Sequence, residues 1–286
     1  MPPIDPPEAI RNMLGNVRPL PPDHLSPISH FHLTTTEITL ALRYVQSKTD
    51  RSSSKPSVAN RHLSRLRQMA LVGLIENLER FFKELAGVCI DAIAPLTADD
   101  RLDTFRVSGS SIAGHYGADT LGRALCESGI WLDCKTINER FRDILQDVAT
   151  PATLQPFQVL PLQPHHEKLR YDTLQLLWQL RHSVVHNVGV ITESDAVKLR
   201  VLARRPVLAR HTLEPSPIDI DYLSDFLGEV AESSNARVCS RVAELLNRIN
   251  TNDPTLIDDP GKKAKDLASQ FRLPVTLAGS TATPPP

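Results

Sequence analysis

Apolar residues recur at spacings of three and four over much of the chain, whereas no stretch alternates for long between apolar and polar positions. The first pattern is typical of amphipathic helices, and the second would have indicated strands. Prolines avoid the most regular stretches, since residues 57–94, 96–150, 165–205 and 218–253 contain none. Proline inside a helix removes a hydrogen-bond donor and clashes with the preceding turn. The pattern therefore predicts an all-α fold.

The apolar spacing predicts a series of helices, separated by proline, glycine and short polar segments. They cover residues 37–47, 59–92, 119–128, 135–148, 165–188 and 217–250, with a weakly helical segment at 262–271. Two points stay open. Thr192, with Asp195 three residues on, has the spacing of an N-cap for a short helix, but residues 199–211 also fit an extended segment. The last long helix is either continuous or broken near residues 233–235.

On this pattern the chain divides into three parts. Residues 1–57 are predicted to form an irregular proline-rich arm with one short helix, since eight of the 23 prolines fall between Pro2 and Pro27. Residues 58–250 are predicted to form a helical domain. Residues 251–286 are predicted to be a flexible C-terminal tail that ends in disorder.

Composition and charge narrow the class of protein. Hydrophobic residues make up 41% of the 286 positions, which is enough for a sizeable core. The 32 Lys and Arg against 33 Asp and Glu argue against a dedicated nucleic-acid coat or a polybasic membrane binder. The charge is nevertheless segregated, because residues 165–210 hold eight basic and four acidic side chains and residues 212–260 hold three and ten.

Targeting and redox signals are weak. No apolar run approaches the roughly 18 residues of a membrane span. The N-terminus, MPPIDPPEAI, has no basic start followed by an apolar run, so it does not fit a secretory signal. The four cysteines show no C-x-x-C spacing: Cys89, Cys126, Cys134 and Cys239. We therefore expect reduced thiols in a cytoplasmic protein that does not bind membranes.

The helix predicted over residues 165–188 carries the most chemistry. At about 100° per residue, Arg181 falls in the middle of an apolar sector. The sector consists of Leu174, Leu177, Trp178, Val184, Val185 and Val188. A guanidinium there is costly unless it is paired or faces a wet cleft or a partner subunit. His182 and His186 lie one helical turn apart at the flank of this sector.

Each of these residues also has a structural interpretation. An arginine in an apolar stripe is often half of a buried ion pair, and a helical histidine often only packs or faces water. The spacing of His182 and His186 matches that of metal ligands. However, Ser183 stands where an H-E-x-x-H motif has its glutamate, and no third ligand is evident. We therefore expect no metal and no other cofactor.

The string LRHSVVHNVGVI, Leu180–Ile191, resembles the Arg-x4-His motif of the HEPN superfamily. That motif has an arginine, a polar residue, three further residues and a histidine, and often continues as His-Asn-x-Gly. The matching positions are Arg181, His182, His186, Asn187 and Gly189. Three segments are similar to other helices of prokaryotic HEPN proteins: Met69–Leu85, Ile137–Leu145 and Ile218–Ala231. The resemblance covers about Ala59–Ile249 and implies a helical bundle of HEPN type.

Many HEPN proteins are metal-independent endoribonucleases in toxin–antitoxin, phage-defence (abortive infection) or RNA-processing systems. The resemblance implies this activity here, with Arg181 and His186 as catalytic residues and an antitoxin or regulatory protein as a further partner. The chemistry suits RNA, which supplies its own 2′-OH nucleophile. Histidine has the pKa range for general acid–base catalysis, and arginine binds phosphate bidentately. The products would carry a 2′,3′-cyclic phosphate and a 5′-hydroxyl.

HEPN nucleases act as dimers in which two motifs share one cleft, so the resemblance implies a homodimer with a composite site for RNA. Geometry agrees with that expectation. Arg181 and His186 are five positions apart, about 140° around a helix, so a single helix does not present both on one face. A helix packed against its symmetry mate would bring the two together and place the apolar sector partly in the interface.

Three residues are predicted to support the site, each with a structural alternative. His182 carries a second proton or holds phosphate, or it only faces solvent. Asn187 orients the substrate, or it caps the helix before Gly189. Asn77 lies near the cleft, or it makes a hydrogen bond in the core. The neighbouring Glu76 projects from the other side of its helix and is expected to face solvent or to pair with another helix.

Two other hypotheses compete with the nuclease. One is a non-catalytic HEPN-like module for dimerisation or for binding a nucleotide or a protein, which predicts no cleavage of any RNA. The other is an unrelated helical scaffold with an accidental motif, which predicts a monomer with Arg181 buried against a carboxylate.

Overall fold

The computed structural model describes residues 26–52, 56–96, 122, 125–126, 131, 133–146 and 156–279. These ranges contain seven α-helices and no strand, and an isolated antiparallel bridge joins Val190 to Thr212. The helices are α1 (Pro27–Ser52), α2 (Pro56–Ile93), α3 (Cys134–Leu145), α4 (His165–His186), α5 (Glu193–Ala203), α6 (Pro217–Asn252) and α7 (Pro260–Phe271). The predicted all-α fold is confirmed.

Helix α2 is the centre of the core. Its buried positions follow a spacing of three and four: Leu71, Leu74, Ile75, Leu78, Phe81, Phe82 and Leu85. Helices α1, α3, α4 and α6 all contact it. Aromatic rings join three of these helices, with ring centroids 5.7 Å apart for Phe31 and Phe81 and 6.2 Å apart for Phe82 and Phe141. Burial of this one helix therefore organises the bundle around it.

Helix α1 corrects the predicted N-terminal arm. The short helix expected at residues 37–47 is 26 residues long. Ile28, Phe31 and Leu42 are buried in the core, so this helix belongs to the helical domain. The prediction was wrong because it treated every proline as a break. Pro27 stands at the first helical position, where a missing N–H costs nothing. Residues 1–25 of the arm lie outside the described residues.

The C-terminal region corrects the predicted flexible tail. Helix α7 buries Leu267 and Phe271 against the core, and Val275 and Leu277 beyond it are also buried. Backbone groups of this segment bond to α6, since the Asn250 amide donates to the carbonyl of Ala278 at 3.0 Å. Residues 260–279 are therefore part of the fold. Residues 280–286 lie outside the described residues.

The two alternatives left open by the sequence are resolved. The Thr192 side chain accepts a hydrogen bond from the backbone N–H of Asp195 and caps α5, so the extended interpretation is wrong for residues 199–203. Helix α6 continues without a break through residues 233–235. The predicted helix at residues 119–128 lies outside the described residues except for positions 122, 125 and 126.

An ion-pair network anchors the first turn of α4, the helix that carries the motif. Glu167 is 8% exposed and accepts a hydrogen bond from Arg237 of α6 at 3.1 Å. Arg170 also lies 3.4 Å from the same carboxylate. A carboxylate this buried needs such partners. The network therefore ties the start of α4 to α6. The C-terminal end of α4 packs against α5.

Candidate functional site

Helix α4 packs between α2, α3 and α5. Leu174, Trp178 and Val184 are buried along its length. Ser183 is fully buried as well, and its hydroxyl donates to a backbone carbonyl of the same helix at 3.1 Å. These contacts fix the rotation of α4 about its own axis. They therefore set the directions in which Arg181 and the two histidines project.

The end of α4 requires glycine at position 189. After the helix, Val188 has φ 56° and Gly189 has φ 81°, which is the left-handed region. A Cβ at Gly189 would lie 2.6 Å from Nε2 of Gln68 on α2. That amide donates to the carbonyl of Leu213 at 2.6 Å. A side chain at position 189 would therefore clash with Gln68, and the backbone conformation itself favours glycine. The glycine that was predicted to end this helix is thus required there.

Asn187 holds the end of α4 to α5. Its side-chain amide donates to Asp195 Oδ2 at 2.8 Å, and Gln179 donates to Oδ1 of the same carboxylate at 2.9 Å. Asp195 is 2% exposed, so these two amides are its main compensation for burial. Asn187 is also the C-cap residue of α4, which is the alternative weighed for it, and its side-chain amide is engaged within the fold rather than presented to a ligand.

The side chain of Arg181 projects from α4 towards α2, close to the protein surface. Its Nη2 lies 2.9 Å from Glu76 Oε1 of α2, and the two side chains are 19% and 48% exposed. The Nε atom of Arg181 is buried and has no hydrogen-bond partner among the described residues. Pairing of Glu76 with another helix is as predicted. The guanidinium is thus mostly covered but held by a carboxylate that remains open to solvent.

His182 and His186 form an exposed pair on the outer face of α4. Their ring centroids are 4.5 Å apart and the rings are tilted by 46°. No hydrogen bond or ion pair holds either ring within the described residues. Arg181 and His186 make no contact within one chain, as their separation around the helix predicts. His182 lies between them around the helix.

A cleft of about 260 Å³ opens beside the motif. It is lined by Asp133, Gln175, Trp178, Gln179, Arg181, His182, Lys198 and Leu202. The two oxygens of Asp133 accept from the backbone and hydroxyl of Thr136 at 2.8 Å each and cap α3, so this carboxylate is held at the edge of the cleft. The lining thus places two basic side chains and one imidazole against one carboxylate, which leaves room for an anion between Arg181 and Lys198.

The apolar sector of α4 is covered along only part of its length. Leu174 and Trp178 are 1% and 7% exposed. Val185 and Val188, on the same sector near the helix end, are 44% and 63% exposed. Val190 just beyond is 41% exposed. The sector thus emerges from the core beside the two histidines and leaves an apolar surface there.

Asn77 lies apart from these groups. It is 4% exposed, and its amide donates to the carbonyl of Phe31 at 2.8 Å and to the hydroxyl of Thr35 at 2.9 Å. It therefore joins α1 to α2 as a core hydrogen bond, the second of its two interpretations. It does not line the cleft.

Other reactive side chains do not add to the site. The described residues contain no group of three or more His, Cys, Asp or Glu side chains arranged to hold a metal ion. The four cysteines are free and buried. Burial raises the pKa of Cys126 to about 12 and that of Cys239 to about 11, so both thiols resist ionisation.

Lys198 is a cleft residue that the sequence analysis missed. It is exposed and lines the cleft from α5, opposite the arginine and histidine of α4. No motif marks it, because its position depends on how α5 packs on α4. The N-cap at Thr192 was the available signal, since it fixes where α5 begins and therefore which of its residues face α4.

Comparisons of the chain with protein-family models, curated proteins and solved structures give no match. The resemblance to HEPN proteins therefore depends on the motif and the helical segments quoted above. Among the described residues, no helix has an apolar stretch long enough to cross a bilayer.

Proposed function

We propose that this protein is a metal-independent endoribonuclease whose catalytic residues are Arg181 and His186. The observation that carries the proposal is the grouping at the end of α4. Two exposed imidazoles, 4.5 Å apart, lie beside an arginine that lines a cleft with a second basic side chain, Lys198. General acid–base groups next to a phosphate-binding cation are what cleavage of RNA requires.

The reaction needs no group beyond these side chains and the RNA. An imidazole removes the proton of the 2′-OH, and O2′ then bonds to phosphorus. The bond from phosphorus to O5′ breaks, and an imidazolium gives a proton to the leaving O5′. Arg181 stabilises the charge that builds on the phosphate oxygens. The products are a 2′,3′-cyclic phosphate and a 5′-hydroxyl, and His182 is the second candidate to carry a proton.

A homodimer would complete the site. Within one chain Arg181 and His186 point about 140° apart. The uncovered Val185 and Val188 flank the histidines and supply an apolar surface for a second copy. A two-fold axis at this surface would bring Arg181 of each chain towards His186 of its partner. A phosphate would then compete with Glu76 for the guanidinium.

The biological setting is part of the same proposal. An RNA-cleaving dimer of this kind suits a toxin or a phage-defence effector that must be restrained until needed. An antitoxin or another regulatory protein would then bind the same chain. These statements follow from the resemblance and are tested by expression, because a toxin arrests growth whereas a variant without activity does not.

Cleavage assays test the activity directly. Wild-type protein is incubated with total RNA and with tRNA in the presence of a chelator, and the product ends are mapped. We expect cleavage with 2′,3′-cyclic phosphate ends by the wild type and a loss of at least about 100-fold for His186→Ala and Arg181→Ala. His165→Ala, an exposed histidine of the same helix, is the matched control and should retain activity. Full activity of His186→Ala would exclude the proposed mechanism.

An unrelated helical scaffold with an accidental motif is the second candidate, and the Arg181–Glu76 pair favours it. The Arg181 side chain is mostly buried, and its Nη2 lies 2.9 Å from Glu76 Oε1, as in a structural ion pair. On this interpretation Arg181→Ala lowers the free energy of unfolding and the wild type cleaves no RNA. Unfolding of Arg181→Ala in urea, measured beside the cleavage assay, separates the two roles.

A further inference from the structure

Lys198 is a cation of the cleft that the proposed cleavage chemistry does not use. It lies on α5, and its side chain is exposed and lines the same cleft as Arg181 and His182. Within the described residues it forms no ion pair. An unpaired lysine is ordinary on a surface, but here it lies in a concave site next to a second cation.

The position of Lys198 is fixed by the packing of α5. Ile191, Ala196 and Leu199 are buried together in a small cluster against α4. Asp195 accepts hydrogen bonds from the amides of Gln179 on α4 and Asn187 just after it, at 2.9 and 2.8 Å. The backbone of Lys198 is therefore held at a constant distance from Arg181, as a binding site requires.

The cleft's shape limits what it admits. Its volume of about 260 Å³ is near the lower limit of small-ligand pockets, roughly 300 Å³. Trp178 and Leu202 supply apolar wall, and Gln175 supplies an amide group that suits the edge of a base, whereas the amide nitrogen of Gln179 already donates to Asp195. A duplex keeps its bases stacked inside, whereas a single strand can place one nucleotide in such a pocket.

We propose that Lys198 binds a phosphate of single-stranded RNA adjacent to the phosphate held by Arg181, and that the cleft accommodates the nucleotide between them. This assignment rests on the proposed function, because it places the scissile phosphate at Arg181. The strand then leaves the cleft beside His182, on the side of α4 where a second copy of the chain would supply its His186. The site thereby selects unpaired RNA.

Binding and cleavage of defined RNAs test this subsite. The probe is a fluorescein-labelled oligouridylate, with a duplex of the same length beside it, bound to the full chain carrying His186→Ala. Adding Lys198→Ala should weaken binding of the single strand about five- to ten-fold and reduce the slope of log K against log salt by about one. Lys265→Ala, an exposed lysine of α7, should leave both unchanged. In the cleavage assay, Lys198→Ala should raise KM and leave kcat within about two-fold.

The outcomes separate the subsite from the reaction. Equal binding by the Lys198→Ala and Lys265→Ala proteins, or tighter binding of the duplex than of the single strand, overturns the subsite. So does the absence of any RNA binding. If binding depends on Lys198 while the wild type cleaves no RNA, the subsite stands and the proposed reaction is wrong. If the wild type cleaves and Lys198→Ala changes neither KM nor salt dependence, the reaction stands and the subsite is wrong.

Discussion

Single residues at the end of α4 decide whether the motif keeps its geometry. Gly189 turns the chain in a left-handed conformation against Gln68, and Asn187 binds the buried carboxylate of Asp195. Arg181 and the two histidines lie within the preceding two turns. The residues that position the site are therefore distinct from those that would carry chemistry, and substitutions can separate them.

Gly189→Ala should lower the free energy of unfolding by about 2–3 kcal/mol, because alanine disfavours this φ and its Cβ would displace the Gln68 amide. Urea unfolding measures the change. Gly228→Ala is the matched control, since nothing lies within 4 Å of a Cβ there and alanine favours a helix interior. It should be neutral or stabilise by up to about 1 kcal/mol. Equal effects of the two substitutions would refute the argument for Gly189.

Asn187→Ala should destabilise the protein by about 1–3 kcal/mol, because Asp195 loses one of its two amide donors. Its kcat on RNA should stay within about three-fold of the wild type at temperatures where it is folded. Unfolding curves and single-turnover cleavage measure the two effects. Undiminished stability together with lost cleavage would instead place Asn187 in contact with the substrate.

At the scale of whole elements, the sequence predicted helix ends best where neighbouring residues determine them. The proline-free stretch, the glycine after the helix and the Thr192 cap predicted α4 and the start of α5 within a few residues. Helix α1 was underestimated because Pro27 begins a helix instead of ending one. The segment after α6 was misjudged because Val275 and Leu277 are buried by packing back onto the main core, which no local pattern marks.

The candidate site divides in the same way. The motif residues could be predicted from the sequence because they lie on one helix. The Arg181–Glu76 pair spans 105 positions, so no local pattern specifies it, although pairing of Glu76 with some other helix was anticipated. Lys198 depends likewise on how two helices pack. The sequence pattern therefore predicted the helices but not the contacts between them.

Helix α7 provides a test at this scale. Phe271 is 1% exposed, and its carbonyl accepts from the Asn235 amide of α6 at 2.7 Å. Phe271→Ala should therefore cost about 3–5 kcal/mol of unfolding free energy. Leu256→Ala, at a position that is 45% exposed, should cost no more than about 0.5 kcal/mol. Thermal or urea unfolding distinguishes these values. Similar small losses of unfolding free energy for both variants would support the original prediction of a flexible tail.

For the whole molecule, the proposed reaction requires Arg181 and His186 to act on one phosphate. One chain separates them around α4 and leaves Val185 and Val188 uncovered beside the histidines. A two-fold dimer at that surface would answer both points together. The near-neutral net charge is compatible with RNA binding on this account, because the proposed contacts are local: Arg181 and Lys198 line the cleft beside the motif.

Mixing two inactive variants tests the composite site most directly. Arg181→Ala and His186→Ala are each assayed alone on RNA, and then after being unfolded and refolded together. The account predicts that neither cleaves alone and that the mixture recovers up to about a quarter of wild-type activity, since half the dimers are mixed and each of these keeps one of the two Arg181–His186 pairings between the chains. Cleavage by either variant alone at the wild-type rate, or a wild type that cleaves no RNA, would contradict it.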